Sequence, residues 1–322
     1  MRTPAEDPPL PDGYDQLNAY SRIIVDEARR QGISVHIVDP DRGELVLSRN
    51  GRTVRTLESL SELTSAVAFR ICDDKRHTRQ VLERAGIPVP PGRTATFDER
   101  DAEFLTEHGN LVVKPARGEG GQGVTVDVTD RTALERALHH ARSSCSDVLL
   151  ERRVEGQDLR VVVIADEVVA AAVRRPACVV GDGQHTVTEL VETASRRREA
   201  ETDGASRIPL DEHTLEVVRE AGYEPDDVLP DGLELTVGRT ANLHGGGTIH
   251  DVTAVLHPAL AKMAVDVARA IQIPVVGVDL IVDDPRSPGC VVVEANEQPG
   301  LANHEPQPTA QRFINLLFPP GR

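Results

Sequence analysis

LVVKPARGEGGQGVTV, residues 111–126, opens with an apolar run, Leu111-Val112-Val113, that ends in Lys114 and Pro115. A glycine-rich turn follows, Gly118-Glu119-Gly120-Gly121-Gln122-Gly123, and then the β-branched alternation Val124-Thr125-Val126. The pattern predicts two strands joined by a glycine loop. Glycines reach φ > 0 without penalty and let successive N–H groups approach a ligand. With Lys114 at the end of the first strand, a polyphosphate suits the combination best. An ordinary hairpin with a mobile glycine tip fits the same stretch equally well, because short glycine motifs recur by chance. A P-loop is set aside because there the lysine follows the glycines and opens a helix. A dinucleotide fingerprint is set aside because strand, not helix, follows the turn.

Composition narrows the function classes. At 322 residues the chain can hold one large core or two to three lobes. Its 36 basic and 52 acidic residues leave a net charge of −16, which argues against a nucleic-acid surface. No run of about 18 apolar residues occurs, so no membrane helix is expected. The N-terminus, MRTPAEDPPLPDG, lacks the basic-then-apolar pattern of a signal peptide, and a cytoplasmic location is expected. Cys72, Cys145, Cys178 and Cys290 are scattered without metal spacing and read as reduced thiols. With no Trp and 2% aromatics, the core must rest on Val, Leu, Ile and Ala.

Proline and acidic residues in segment 1–13 predict a loose arm. Helical spacing runs from Asp15 to Arg30, a strand follows over Ser34–Val38, and Asn50-Gly51 turns a hairpin between residues 44–47 and 53–55. These make a small N-terminal α/β lobe, residues 14–68. Asp73-Asp74 starts a helix that stops at Gly86, with Lys75 in its first turn, where the helix dipole disfavours a cation. Taken alone, Lys75 reads more simply as a solvated surface lysine. Beyond the glycine loop, a helix over Arg131–Arg142 and a strand Val148–Leu150 ending in Glu151 are expected. Asp158-Leu159-Arg160 leads into strand 161–164, and Val168–Val173 returns antiparallel to Arg174-Arg175. Alternate strand residues share a face, so Arg160 and Arg174 line one pocket if the register permits; otherwise they sit in solvent at strand ends. Residues 176–237 read as an inserted, partly helical excursion. A second glycine loop, Asn242–Thr248, and an amphipathic helix, Pro258–Ile271, follow it.

Val275–Val282 and Cys290–Asn296 form a further hairpin. Glu294 and Asn296 are two apart and share a face, and Asp279 lies on the neighbouring strand. Two carboxylates and an amide among apolar residues are costly unless a cation joins them. Such hard oxygen donors suit Mg²⁺ held together with substrate phosphates. A structural hydrogen-bond cluster is the alternative.

Lys75, Lys114, the glycine loop, Glu151, Asp158-Leu159-Arg160, Asp279 and Glu294-Ala295-Asn296 stand in an order that resembles the ATP-grasp carboxylate–amine ligases, over roughly residues 65–318. Within that family, Arg175-Pro176-Ala177 with Val179–Gly183, and Asn242–Thr253, resemble the cyanophycin synthetase type. Ser195–Leu210 and residues 294–306, EANEQPGLANHEP, resemble the N-acetylglutaminylglutamine synthetases of the bacterial osmolyte pathway. Those carry a fused acetyltransferase, for which 322 residues leave no room.

The resemblance implies an α+β (α/β) ATP-grasp fold, like the ATP-binding domain of glutathione synthetase, over residues 69–318, with a nucleotide between two α+β lobes. ATP and Mg²⁺ are the implied cofactors, as a pair of ions that Mn²⁺ can replace. Lys75 and Lys114 would neutralise α- and β-phosphate oxygens beneath a loop containing Gly118, Gly120, Gly121, Gln122 and Gly123. Glu151, with the backbone near Arg153 and Val154, would hold the adenine amino edge, and Asp158 the ribose. Asp279, Glu294 and Asn296 would bind the metal ions. Arg160, Arg174 and Asn242 would face the γ-phosphate and the substrate carboxylate. The implied activity is ADP-forming amide synthesis through an acyl phosphate, of the N-acetylglutaminylglutamine type. A small-molecule kinase, or a cyanophycin-synthetase-like ligase with other amino acids, is the alternative. A nucleotide sensor without chemistry would tend to lose the metal set, which is intact. The expected partners are amino-acid or acylated amino-acid substrates and a separate acetyltransferase, with a homo-oligomer left open; no nucleic acid or membrane is expected.

Overall fold

The computed structural model describes residues 9–118, 120–202, 204 and 206–320. Residues 1–8 of the expected N-terminal arm and Glu119 of the glycine loop lie outside these, as do Asp203 and Ala205.

The first helix, α1 (Ala19–Arg30), begins later than the apolar spacing predicts. Asn18 is extended and its side chain accepts from the Ser21 N–H at 2.9 Å, so the cap sets the start. Four antiparallel strands follow in chain order: β1 (Ser34–Asp39), β2 (Glu44–Arg49), β3 (Arg52–Leu57) and β4 (Leu60–Ser61). Asn50 and Gly51 both take positive φ, 52° and 79°, which is the turn that tight hairpins need. Helices α2 (Ala66–Asp73) and α3 (Lys75–Arg84) meet at Asp74.

A second antiparallel sheet is built from β5 (Gly92–Thr94), helix α4 (Glu99–His108), β6 (Leu111–Pro115), β7 (Thr125–Val128), helix α5 (Arg131–Ser144) and β8 (Val148–Arg152). Its strand order is β5-β8-β6-β7, and Leu111, Val113, Leu134, Leu138, Val148 and Leu150 fill the core beneath α5. The segment 111–126 is therefore a strand pair closed by glycines, with Leu111 facing Val128 and Val113 facing Thr125.

The hairpin β9 (Gln157–Ile164) and β10 (Glu167–Arg175) turns at Ala165 and Asp166, both left-handed. The excursion then adds β11 (Cys178–Val180), α6 (Val187–Glu201), α7 (Glu212–Glu220) and β12 (Glu234–Thr236), around a core of its own that includes Val179, Val191, Val218 and Leu235. The chain returns as β13 (Thr248–Asp251), α8 (Pro258–Ile271), β14 (Val275–Val282), β15 (Val291–Asn296) and α9 (Thr309–Leu317). These complete a central sheet, β13-β10-β9-β14-β15, in which every neighbouring pair is antiparallel.

The central sheet is buried on both faces. Leu159, Val161 and Val163 point to a core shared with α8, while Val162 and Ile164 point to one shared with α1, α9 and the N-terminal sheet. The N-terminal strands thus share a core with the central sheet. Truncating Leu159, which is 0% exposed, to Ala would cost about 2–5 kcal/mol. Period-two alternation places Asp158, Arg160, Gly277 and Asp279 on the face of Val162, Ile164 and Val275. One face of one sheet therefore passes from apolar at one end to charged at the other.

Candidate active site

The charged end of the central sheet meets the end of β6 and the start of α3. The Asp74 carboxylate caps α3 by accepting from the Arg76 N–H at 3.0 Å, and the Lys75 N–H donates to the Ala116 carbonyl at 2.9 Å. Those two contacts pin the helix start to the strand end. The Lys75 ammonium, only 10% exposed, donates to the Gly118 carbonyl at 2.8 Å and pairs with Glu294 at 3.0 Å. It is a cleft residue and not a solvated one. Glu294 supplies the anion that offsets the unfavourable end of the helix dipole.

Lys114 lies opposite Leu149 in the β6–β8 register, so Glu151 is its diagonal neighbour. The two are buried and paired at 2.7 Å, and Arg79 reaches the other Glu151 oxygen at 3.3 Å. The Lys114 ammonium also points at the Val293 carbonyl on β15, at 3.5 Å. Lys75, Thr78, Arg79, Glu151 and Glu294 line one narrow cleft here.

Asp279 is the centre of the second cluster. It is 3% exposed and accepts from Arg160 through both oxygens and from Arg174 at 3.0 Å. Arg174 also pairs with Asp158 at 2.7 Å. The β9–β10 register sets Arg160 against Ala172 and Arg174 against Asp158, so both arginines do enter one pocket. Gly277 makes room for them, because a Cβ there would stand 2.8 Å from an Arg160 nitrogen. Burial opposes ionisation of Asp279, yet Arg160 and Arg174 hold its carboxyl below the usual range. Burial pushes the Asp158 carboxyl up against the pull of Arg174, and the charge of Asp279 adds to that rise.

Asp279 faces Glu294 across β14 and β15, Gly277 faces Asn296, and the Asn296 amide is 3.3 Å from Asp279. Two carboxylates and an amide oxygen are the hard donors that a divalent cation takes, and their charge is now met by Arg160, Arg174 and Lys75. The set fits Mg²⁺ in chemistry. Among the described residues no three His, Cys, Asp or Glu side chains are gathered as ligands.

Glycine φ values of 129°, 65°, 76° and 73° at Gly118, Gly120, Gly121 and Gly123 explain why residue 118 onward is glycine-rich. Gly120, Gly121 and Gln122 are exposed. Asn242 reaches this loop and donates to the Gly120 carbonyl. The Gly247 N–H donates to the Asn242 carbonyl at 2.9 Å, and Arg198 of α6 donates to the Gly247 carbonyl at 3.0 Å. A chain of hydrogen bonds thus runs from the excursion through the second glycine loop to the first.

Not every expected residue faces the cleft. Arg153 turns to Asp127 at 2.9 Å, and its backbone N–H is already given to the Asn110 carbonyl. Val154 is half-buried and lies past the end of β8. Of the residues expected at an adenine edge, only Glu151 is in the cleft, held there by two cations. Asp158, expected at a ribose, is tied to Arg174. Sequence reasoning missed Arg79, Arg198 and His304. Arg79 had a signal, since it is four residues from Lys75 on one helix face. His304, 6% exposed, is held neutral first by burial and then by Arg160 and Arg174, which lower it to about 4.

Taken together, Lys75, Arg79, Lys114, Arg160 and Arg174 supply five cations that pair with the five carboxylates Glu83, Glu151, Asp158, Asp279 and Glu294. An ATP-grasp domain family matches residues 72–196, and a RimK-like ATP-grasp domain family matches residues 237–312. The chain is 31% identical over 320 residues to a cyanophycin synthetase of Geminocystis herdmanii, covering 94% of this chain and 36% of that protein. It is 26% identical to a glutathione biosynthesis bifunctional protein of Streptococcus thermophilus, covering 95% and 43%. A crystal structure of a bifunctional glutathione synthetase from Pasteurella multocida superposes with a TM-score of 0.68 at 26% identity, over 95% of this chain and 44% of that one. The chain spans less than half the length of these relatives. A glycine loop closing on a charged cleft between two antiparallel sheets is the architecture of an ATP-grasp protein. Both matching families are ATP-grasp domains and together they span most of the chain, which is an ATP-grasp protein similar to ligases of that family. Among the described residues no helix is long and apolar enough to cross a membrane.

Proposed function

We propose that this chain is an ADP-forming ligase that joins an amino-acid or acylated amino-acid carboxylate to an amine through an acyl phosphate. The observation that carries the reading is the gathering of Lys75, Lys114, Arg160 and Arg174 with the hard donors Asp279, Glu294 and Asn296 beside the glycine loop. A triphosphate entering there exchanges with internal partners. Lys75 leaves Glu294 and Lys114 leaves Glu151 for phosphate oxygens. Glu294, so released, joins Asp279 and Asn296 as the donors that would hold Mg²⁺, which when bound supplies charge neutralisation of the transferring phosphoryl group. Arg160, Arg174 and Asn242 then bind the γ-phosphate and the substrate carboxylate. Attack of the carboxylate oxygen on the γ-phosphorus yields ADP and the acyl phosphate. The amine displaces phosphate, and no protein nucleophile is required.

The segments 195–210 and 294–306 support a narrower reading, synthesis of an N-acetylglutaminylglutamine-type dipeptide. The cyanophycin synthetases among the relatives support other amino acids in the same chemistry. On this reading residues 14–68 form the N-terminal lobe and residues 69–318 the ATP-grasp unit, with residues 176–237 as its insertion. The test supplies ATP, Mg²⁺, N-acetylglutamine and glutamine, and repeats with each acid alone plus hydroxylamine. ADP in amounts equal to the amide, and hydroxamate that depends on the acid, are expected. Phosphoryl transfer without any amide would replace the ligase by a kinase. Amide from other amino acids alone would keep the ligase and discard the dipeptide.

A further inference from the structure

Glu151 is buried near the end of β8, and its two oxygens are held by cations from different elements. Lys114 of β6 pairs with Oε2 at 2.7 Å, and Arg79 of α3 pairs with Oε1 at 3.3 Å. Among the described residues these are the two cations that pair with it. The Arg79 side chain is 10% exposed and lies one turn beyond Lys75 on the same face of α3, with its other terminal nitrogen on Glu83 at 2.8 Å. The fold keeps space for this pair. Gly92 faces Glu151 across β5 and β8, and a Cβ there would stand 2.8 Å from an Arg79 nitrogen, from the Glu151 Cγ and from the Leu150 carbonyl oxygen.

We propose, on the ligase reading above, that Arg79 is the positioning residue that lets Lys114 bind the triphosphate, by keeping Glu151 paired when Lys114 turns from that carboxylate to a phosphate oxygen. Moving one ammonium away strands a buried carboxylate unless a second cation stays behind, and a buried unpaired charge is costly. Arg79 is that second cation. It stands on α3, outside the β6–β8 strand pair, and its guanidinium donates to both Glu151 and Glu83, so it stays in place as Lys114 leaves. Arginine suits the task because it remains charged when buried and holds its donors in a planar fork. Lys114 has the Val293 carbonyl as its other contact, at 3.5 Å, so Glu151 is the partner that decides whether it can turn. Arg79 acts through Glu151 and needs no contact with the nucleotide.

The test measures ATP binding in the presence of Mg²⁺ by titration calorimetry, and stability by urea unfolding without nucleotide. Arg79→Met keeps most of the aliphatic stem and removes the charge. Its ATP dissociation constant should rise at least about tenfold, because Lys114 then stays with Glu151. Its ATP-free unfolding midpoint should stay within about 0.3 M of wild type, because the Lys114–Glu151 pair is intact there. Arg79→Lys, which keeps a cation, should recover most of the ATP affinity. In the Glu151→Gln background, Arg79→Met should change ATP affinity by less than about threefold, because no carboxylate is left to strand. Equal losses with and without Glu151→Gln would overturn the assignment, and so would an ATP affinity within about threefold of wild type for Arg79→Met alone. A lowered ATP-free midpoint with unchanged ATP affinity would leave Arg79 a packing residue. A wild type that binds no ATP would overturn the ligase reading instead, and this inference with it.

Discussion

Asp279→Asn is the substitution with the largest consequence that the geometry can quantify. The side chain keeps its shape but loses the charge that binds Arg160 through two oxygens and Arg174 at 3.0 Å. Asp279 is 3% exposed, and the two arginine side chains are 16% and 19% exposed, so water cannot replace the lost partner fully. Arg174 keeps Asp158, which confines most of the loss to Arg160. Removing one member of a buried pair costs about 3–5 kcal/mol, mainly because it strands the other charge. With a urea m-value of about 3–4 kcal/mol/M for a chain of this size, the midpoint should drop by about 1 M. The chain has no Trp, so far-UV circular dichroism is the suitable probe. Arg160→Leu combined with Asp279→Asn should recover much of the loss, because neither charge is then left alone. The carboxyl is held below its usual range in the fold, so its contribution is complete above about pH 4 and vanishes as pH falls through the lowered value. A midpoint within about 0.2 M of wild type would refute the view of Asp279 as a buried counter-ion.

Other outcomes follow from the same contacts. Glu294→Gln should lower turnover at least about a hundredfold and raise the Mg²⁺ concentration needed for half-maximal rate, with an unchanged circular dichroism spectrum; near-normal turnover at saturating Mg²⁺ removes Glu294 from the site. Lys114→Ala and Lys75→Ala should each weaken ATP binding, measured by titration calorimetry, and slow turnover together; an unaltered ATP titration for Lys75→Ala would leave that ammonium with Glu294 and Gly118 alone. His304 is lowered from 6.5 to about 4 in the fold, so the unfolded chain binds more protons across that window and stability falls with falling pH. The loss reaches at most about 3 kcal/mol by pH 4, and His304→Gln should flatten it; parallel stability curves for variant and wild type from pH 6.5 to 4 would exclude a buried neutral ring.

Much of the frame was legible because strand alternation and turn chemistry act locally. The β14–β15 hairpin, the glycine loop between β6 and β7, and the Asn50-Gly51 turn all follow from residues within a few positions of one another. Helix α4 was not legible: only Leu105 and Asp101 are buried along it, so it shows no apolar stripe, and its Asp98 cap precedes a charged run. Lys75 illustrates the limit at the site. Its local signal pointed to solvent, and what draws it into the cleft is the Ala116 carbonyl and Glu294, both distant in sequence. Ion pairing was equally hidden. Glu151 reads alone as a free acceptor at a strand end, yet Lys114 and Arg79 claim both its oxygens. Arg153, two residues further on and past the end of β8, turns to Asp127.

The acyl phosphate is tested most directly by following oxygen. The acid substrate is prepared with oxygen-18 in its reacting carboxylate, and the chain is turned over with ATP, Mg²⁺ and the amine. Attack of that carboxylate on the γ-phosphorus carries its oxygen into the phosphate that the amine later displaces. Each amide bond formed should therefore release one inorganic phosphate bearing a single oxygen-18 atom. Unlabelled phosphate accompanying amide formation would contradict the account.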